Sequence, residues 1–435
     1  MNRSQAHRAI DAIWRLESAK LIAALTRMVR DVSLAEDLAQ DALVIALEKW
    51  QENGIPDNPG AWLMTTAKRR AIDLLRRNKV RDQKYAEVAR SDHVYTEKEI
   101  ESAVDGEIED DLLRLIFMTC HPVLSQEARV ALTLRLLCGL TTDEIARSFV
   151  SAESTIAQRI VRAKKTLSAK KIPFEVPAGV ELQERMSSVL EVIYLMFNEG
   201  YSPTSGKHWI RPLLCQEALR LGRMLAEIAP SEPEVHGLVA LMEIQSSRLK
   251  ARMNAKHEPV LLMNQNRAQW DQLLIRRGLA ALERSRKLGR TLGPYALQAA
   301  IAACHAQAPT AEETEWPRIA ALYEALSRIS PSPIVELNRA VAVSMAFGPA
   351  LGLIIVDALV SQPSLQSYHL LPSVRGDLLV KLKRYEEACE EFERAASLTR
   401  NEQERALLKH RATECKAYIV KGGDDRALYF DGQRD

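Results

Sequence analysis

The stretch Leu140–Leu167, LTTDEIARSFVSAESTIAQRIVRAKKTL, leaves few folds open to this chain. It reads as two short helices joined by a tight turn, the second one basic. Thr141 or Thr142 can cap the first helix, with Asp143 and Glu144 in its first turn, where the helix dipole favours acids. Ile145, Ala146 and Phe149 form one apolar stripe, and Ile156, Ile160 and Ala163 a second at helical spacing. Stripes this short bury only against each other and a third helix, which is helix-turn-helix packing. Val150 takes the position in the turn where a glycine is usual. The outer face of the second helix carries Ser154, Thr155, Gln158, Arg159, Arg162 and Lys165. No acid falls between Glu153 and Glu175, whereas Arg159, Arg162, Lys164, Lys165, Lys170 and Lys171 all do. That face suits a DNA major groove, with Gln and Arg for base edges and Arg and Lys for phosphates. Taken alone it also suits a solvated basic surface, and the upstream sequence must decide.

Lys and Arg number 59 against 57 acids in 435 residues, but the charge is segregated along the chain. No apolar run approaches the roughly 18 residues of a membrane span, and the N-terminus has no signal-peptide core, so a cytoplasmic protein is expected. The six cysteines are scattered without metal-type spacing and read as buried free thiols. The histidines sit in no ligand or triad spacing and no glycine-rich phosphate loop is present, so no catalytic residue, metal or cofactor is expected. Strand-like alternation is scarce, and the fold class expected is all-α.

Residues 5–77 form a set of helices. Leu34–Trp50 is amphipathic, capped by Ser33, with Leu38, Ala42, Ile45 and Ala46 inward and Asp37, Gln40, Asp41 and Glu48 outward. The acidic stripe is either a solvated face or an interface. The loop Gly54–Gly60, GIPDNPG, is a shaped turn, and a basic helix follows over Ala61–Arg77. Leu63, Ala67, Ala71 and Leu74 bury there, while Lys68, Arg69, Arg70, Arg76 and Arg77 crowd the remainder. Trp62 at its head is either a core tryptophan or a ring that stacks on a base of single-stranded nucleic acid. Residues 81–107 are acidic and poor in apolar side chains, either a solvated connector or a polyanion for a basic channel.

AEDLAQDALVIALEKW (35–50) and NPGAWLMTTAKRRAIDLLRR (58–77) resemble region 2 of bacterial RNA polymerase sigma factors of the extracytoplasmic-function group, and residues 108–171 resemble region 4. The two in this order, across an acidic linker, are far more specific than either alone. The resemblance implies domains at 1–80 (region 2), 81–107 (linker) and 108–172 (region 4, helix-turn-helix). It implies that Asp37, Gln40 and Asp41 dock on the core polymerase, and that Trp62, Lys68, Arg69, Arg70, Arg76 and Arg77 melt the downstream promoter element and hold its non-template strand. Asp73 would orient Arg77. Ser154, Thr155, Gln158, Arg159, Arg162 and Lys165 would read the upstream element as duplex. An alternative, a self-sufficient helix-turn-helix regulator with a repeat sensor, has no use for a melting helix.

IPFEVP (172–177) ends the second module, and residues 178–435 form a helical extension. Glu181–Phe197 is amphipathic and is expected to stop at Asn198-Glu199-Gly200, with Gly200 as the helix-ending residue. Asn198, Glu199 and Tyr201 then belong either to a regulatory contact loop or to a capped turn. Residues 369–400 hold the best tetratricopeptide-like repeat, on Gly376, Tyr385, Ala388, Phe392 and Ala395. Asn338–Leu359 is a weaker copy, with Ala350 in the role of Ala388. Such repeats suggest a regulatory protein or peptide as a further partner, and no membrane. The whole resembles the subgroup of these sigma factors that carries a C-terminal helical extension.

Overall fold

The computed structural model describes residues 3–86, 108–149, 151–203, 205–206, 209–255 and 258–430. The acidic stretch 87–107, Val150 in the turn and the tail 431–435 lie outside the described residues. The chain forms two compact units that divide within one helix, between Met196 and Phe197. The split expected after residue 172 is therefore not where the compact units part.

The first unit opens with α1 (Arg3–Val29), α2 (Val32–Asn53) and α3 (Pro59–Ala86), each packed on the other two. Leu21, Leu25, Leu38, Ala42, Leu63, Ala67 and Ala71 are buried. The cap of α2 is Asp31, not Ser33: its extended backbone lets the carboxylate accept from the Ser33 and Leu34 amides at 2.7 and 2.9 Å. Gly54, at φ 82°, ends the helix where a side chain would be strained. Asn58 caps α3 by accepting from the Ala61 amide at 3.0 Å, and α3 runs on to Ala86. The first six residues of the expected linker, 81–86, are thus helical.

The second module is α4 (Ile108–Thr119), α5 (Gln126–Leu136), α6 (Thr142–Ser148) and α7 (Glu153–Ala169). Thr141 caps α6 in a reciprocal box: its hydroxyl accepts from the Glu144 amide at 3.2 Å, and Glu144 Oε2 accepts from the Thr141 amide at 2.9 Å. Ile145 and Ala146 bury with Ile156, Ile160, Ala163 and Leu167, and α5 supplies the third helix. Ser151 N–H closes the turn on Ala146 O at 2.9 Å. The unit ends in the first part of α8 (Gly179–Tyr201), where Arg185 donates to Phe117 O at 2.8 Å and Ser188 to Cys120 O at 2.6 Å.

The second unit begins at the last turn of α8, which does not stop at Asn198. Gly200 sits inside the helix rather than ending it. Its missing side chain admits the start of α9 (Pro212–Ile228), because a Cβ there would lie 2.7 Å from Cys215 N and 2.8 Å from Cys215 Sγ. Then follow α10 (Pro233–Ser246), an irregular connection over 247–271, α11 (Gln272–Leu288) and α12 (Pro294–Gln307). The remainder is a run of helices joined by short turns: α13 (Trp316–Ile329), α14 (Pro333–Phe347), α15 (Pro349–Leu359), α16 (Leu370–Lys381), α17 (Tyr385–Leu398) and α18 (Glu402–Phe430). Each packs on its sequence neighbour, and α14 also reaches α16, as stacked helix pairs do. Gly376 lets α16 close on Phe392, whose ring would stand 2.9 Å from a Cβ. In the weaker repeat the close approach belongs to Gly352, fourth in α15 as Ala388 is fourth in α17, and not to Ala350, which is exposed. The only sheet among the described residues is a two-residue parallel pair, β1 (Ser205–Gly206) with β2 (Arg400–Asn401). All six cysteines are free and buried, and burial pushes the Cys215 thiol up to about 12.

Candidate nucleic-acid and polymerase interface

On α7 the apolar stripe turns inward and leaves Ser154, Thr155, Gln158, Arg162 and Lys165 exposed. Arg159 is half-buried, and its charge helps hold the Glu127 carboxyl below its ordinary value, after the local hydrogen bonds at the start of α5. Five of the six expected DNA-facing residues therefore form one open face, with Arg159 at its edge toward α5.

On α3, Arg69, Arg70, Arg76 and Arg77 are exposed and Lys68 is half-buried. Trp62 is also half-buried, set edge-on to Trp50 with ring centroids 5.2 Å apart. The contact ties it to α2 while leaving part of the side chain accessible. Asp73 makes no ion pair with Arg77 among the described residues, so the expected orienting role does not hold.

Of the acidic stripe on α2, Asp37 is exposed, and Asp41 accepts from Arg70 at 2.6 Å. Gln40 is half-buried and donates to Glu36 at 2.8 Å. Glu36 itself went unnoticed in the sequence. It is only 4% exposed and takes Arg135 Nε at 2.6 Å and Lys164 Nζ, joining α2 to α5 and α7. Its signal was there: Val32, Ala35 and Ala39 surround it on one helix face, and an acid inside an apolar stripe requires a cationic partner. Asp111 does the same between α1 and α4, with Arg27 at 2.9 Å and Arg114 at 2.8 Å. Between these ion pairs lies a cleft of about 920 Å³ lined by Arg27, Arg30, Arg114, Lys164 and Lys171, among others.

In the second unit, Glu199 is ion-paired with Arg211, and Asn198 O accepts from the Ser202 amide at 2.7 Å. Tyr201 stacks on Phe197 at 5.8 Å, and its carbonyl accepts from Arg252. These residues form a held helix end, not a free loop. Among the described residues no group of His, Cys, Asp and Glu is gathered as a metal site requires, and no helix is long and apolar enough to cross a membrane.

A three-helix module with one strongly basic helix is joined in the first unit to a helix-turn-helix module, the architecture of a DNA-binding protein. Residues 14–81 match the Sigma-70 region 2 family, residues 114–167 match Sigma-70, region 4, and residues 185–286 match a family of unknown function, DUF6596. The chain is 42% identical over 387 residues to an uncharacterized protein, R00370, of Rhizobium meliloti, across 89% of this chain and 91% of that protein. It is 26% identical over 166 residues to a probable ECF RNA polymerase sigma factor, SigI, of Mycobacterium tuberculosis, across 38% of this chain and 57% of that protein. An ECF RNA polymerase sigma factor, SigK, of a Mycobacterium species is 28% identical over 165 residues, 36% of this chain and 82% of that protein. The chain belongs to the extracytoplasmic-function sigma factors of bacterial RNA polymerase, in the subgroup with a C-terminal helical extension.

Proposed function

We propose that this sigma factor, which binds RNA polymerase core enzyme and directs promoter recognition and transcription initiation, divides that work between two faces of its first unit. The exposed residues of α2, Asp37 and Asp41 with Gln40 beside them, dock on the polymerase. The outer face of α3, with Arg69, Arg70, Arg76 and Arg77, Lys68 at its side and Trp62 at its head, holds the melted non-template strand. Ser154, Thr155, Gln158, Arg159, Arg162 and Lys165 on α7 read the upstream element as duplex. The observation that carries this reading is the exposure of both basic faces while the apolar stripes beneath them are buried. No chemical step is assigned to the chain itself, and its partners set its work in the cytoplasm.

The extension regulates this activity, with a protein or peptide partner on the tetratricopeptide-like surface. The test is transcription from a promoter library with core enzyme plus the full chain. Transcripts should arise from templates that share two spaced elements, and Arg76→Ala/Arg77→Ala should reduce open-complex formation more than duplex binding. Absence of any transcript above core enzyme alone would remove the reading.

A further inference from the structure

The irregular connection between α10 and α11 brings together three arginines, Arg248, Arg252 and Arg267, among aromatic rings. They alternate in a ladder. Arg252 lies 3.7 Å from the centroid of Tyr201 and 5.5 Å from that of Trp209. Arg248 lies 5.8 Å from Tyr201 and 5.7 Å from Trp270, and Arg267 lies 5.1 Å from Trp270. Arg248 and Arg252 are 7% and 6% exposed. Their hydrogen-bond partners among the described residues are all neutral: Arg248 donates to Gln245 Oε1, Arg252 to Tyr201 O, and Arg267 to the carbonyls of His305 and Ala308 and to Thr314. None of the three forms an ion pair among the described residues. Buried cations ordinarily have a carboxylate, and the other buried arginine of this unit, Arg211, has Glu199.

Unused hydrogen-bonding atoms collect at the same place. Nε of Arg248, Nε of Arg267, Nε1 of Trp270, Nε1 of Trp209 and Nδ1 of His305 are buried without a partner. Most buried polar atoms in folded proteins are satisfied, so this many orphans around three arginines without an ion pair is a concentrated deficit of acceptors. The nearest acids are committed or peripheral. Glu404, whose carboxyl feels Arg252, is held by His369 at 2.9 Å and Thr399 at 2.7 Å, and Glu312 and Glu313 near Arg267 are exposed. Burial lowers the pKa of both Arg252 and Arg267, and Arg248 adds to the effect on each. Tyr201, Trp209 and Arg267 are half-exposed, which gives the cluster an approach from solvent.

We propose that Arg248, Arg252 and Arg267 form a binding site for a small oxyanion, a carboxylate or phosphate group, seated against Tyr201 and Trp270. Guanidinium forks match the oxygens of either group in a bidentate way, and the rings accept the planar or apolar remainder of the ligand.

The test uses the full chain alone, in thermal unfolding and isothermal titration with inorganic phosphate in one arm and acetate in the other, against chloride at matched ionic strength. A saturable rise in melting temperature in either arm, with matching heat of binding, is expected, and the arm that responds names the group. Arg267→Gln, at the half-exposed margin, should weaken that binding at least about tenfold by removing a charge-assisted donor. Arg286→Gln, exposed on α11 outside the cluster, should leave it unchanged. If Arg267→Gln does not fold, Arg267→Lys, which keeps the charge and loses the fork, replaces it with the same expected direction. No saturable response in either arm, or equal responses from wild type and the Arg267 variant, overturns the site.

Discussion

Arg135 of α5 donates to Glu36 of α2 at 2.6 Å, so the helix that supports the DNA-reading pair is ion-paired to the helix assigned to polymerase docking. Lys164 of α7 shares the same carboxylate. One acid thus fixes the two sigma modules against each other. Replacing one member of a buried ion pair leaves its partners charged and unmatched, which typically costs roughly 3–5 kcal/mol. Glu36→Ala should show a loss of that size in urea unfolding of the first unit. A loss below about 1 kcal/mol, the worth of a surface pair, would mean that the triad does not hold the modules together.

The exposed face of α7 makes a sequence-resolved prediction. Gln158→Ala should cost roughly 1–3 kcal/mol at one base position of the upstream element. Arg159→Ala should do likewise if its half-buried guanidinium swings from the start of α5 to the groove. Lys165→Ala should weaken all sequences alike and lower the salt slope by about one. Binding measured across single-base variants at two salt concentrations separates the roles, and uniform losses for all three would cancel the assignment.

Asp41 and Arg70 belong to different proposed interfaces, yet they pair at 2.6 Å on the surface of the first unit. Both are about half-exposed, so the pair itself contributes little to stability, within about 1 kcal/mol. Asp37→Lys/Asp41→Lys should therefore leave a folded protein and abolish binding to core enzyme. Core affinity equal to wild type in the folded double variant would reduce the stripe to a solvated face.

Much of this was legible in the residues. The helix-turn-helix followed from two short stripes that had to meet, and the acidic and basic faces followed from helical spacing. The misses share a cause, which is that tertiary contacts overrode local signals. Gly200 carried the mark of a helix end, but its real service is a close approach to Cys215 that no local pattern records. Ser33 was a plausible cap, yet Asp31, two residues earlier, had the geometry to reach both free amides. Ala350 looked like the small residue of a repeat, while Gly352, at the right depth in α15, takes the contact. The arginine ladder was invisible because its members come from α8, an irregular connection and a loop, and are related only by the fold.

His305 gives the second unit a pH dependence. Burial pushes its ring down from 6.5 to about 3, and the neighbouring Arg248 and Arg267 add to the shift. Below 6.5 the unfolded chain takes up a proton that the folded chain refuses. Stability is therefore whole above that value and falls as the pH drops toward 3, with a slope up to about 1.4 kcal/mol per pH unit. Between pH 6.5 and 5 the wild type should lose about 1.5 kcal/mol more than His305→Asn in denaturant unfolding. Parallel curves for the two proteins would show that the ring titrates normally.

The place where the chain can be cut is expected to follow α8 rather than the prolines of 172–177. In its first part, Arg185 and Ser188 satisfy the carbonyls of Phe117 and Cys120, and Glu191 takes Arg129 at 3.1 Å. A fragment ending at Glu175 loses all of these and bares two buried carbonyls at the end of α4. It should be less stable than a fragment ending at Met196 by at least about 2 kcal/mol, the worth of two net hydrogen bonds. The longer fragment should bind core enzyme and promoter fragments in vitro, since both basic faces and the Glu36 triad remain. If the extension regulates the sigma modules, reporter output from a cognate promoter should differ between full-length protein and the 1–196 fragment at matched levels. Equal stability of the two fragments would return the boundary to the prolines, and identical reporter output with identical response to inducing conditions would end the regulatory role of residues 197–435.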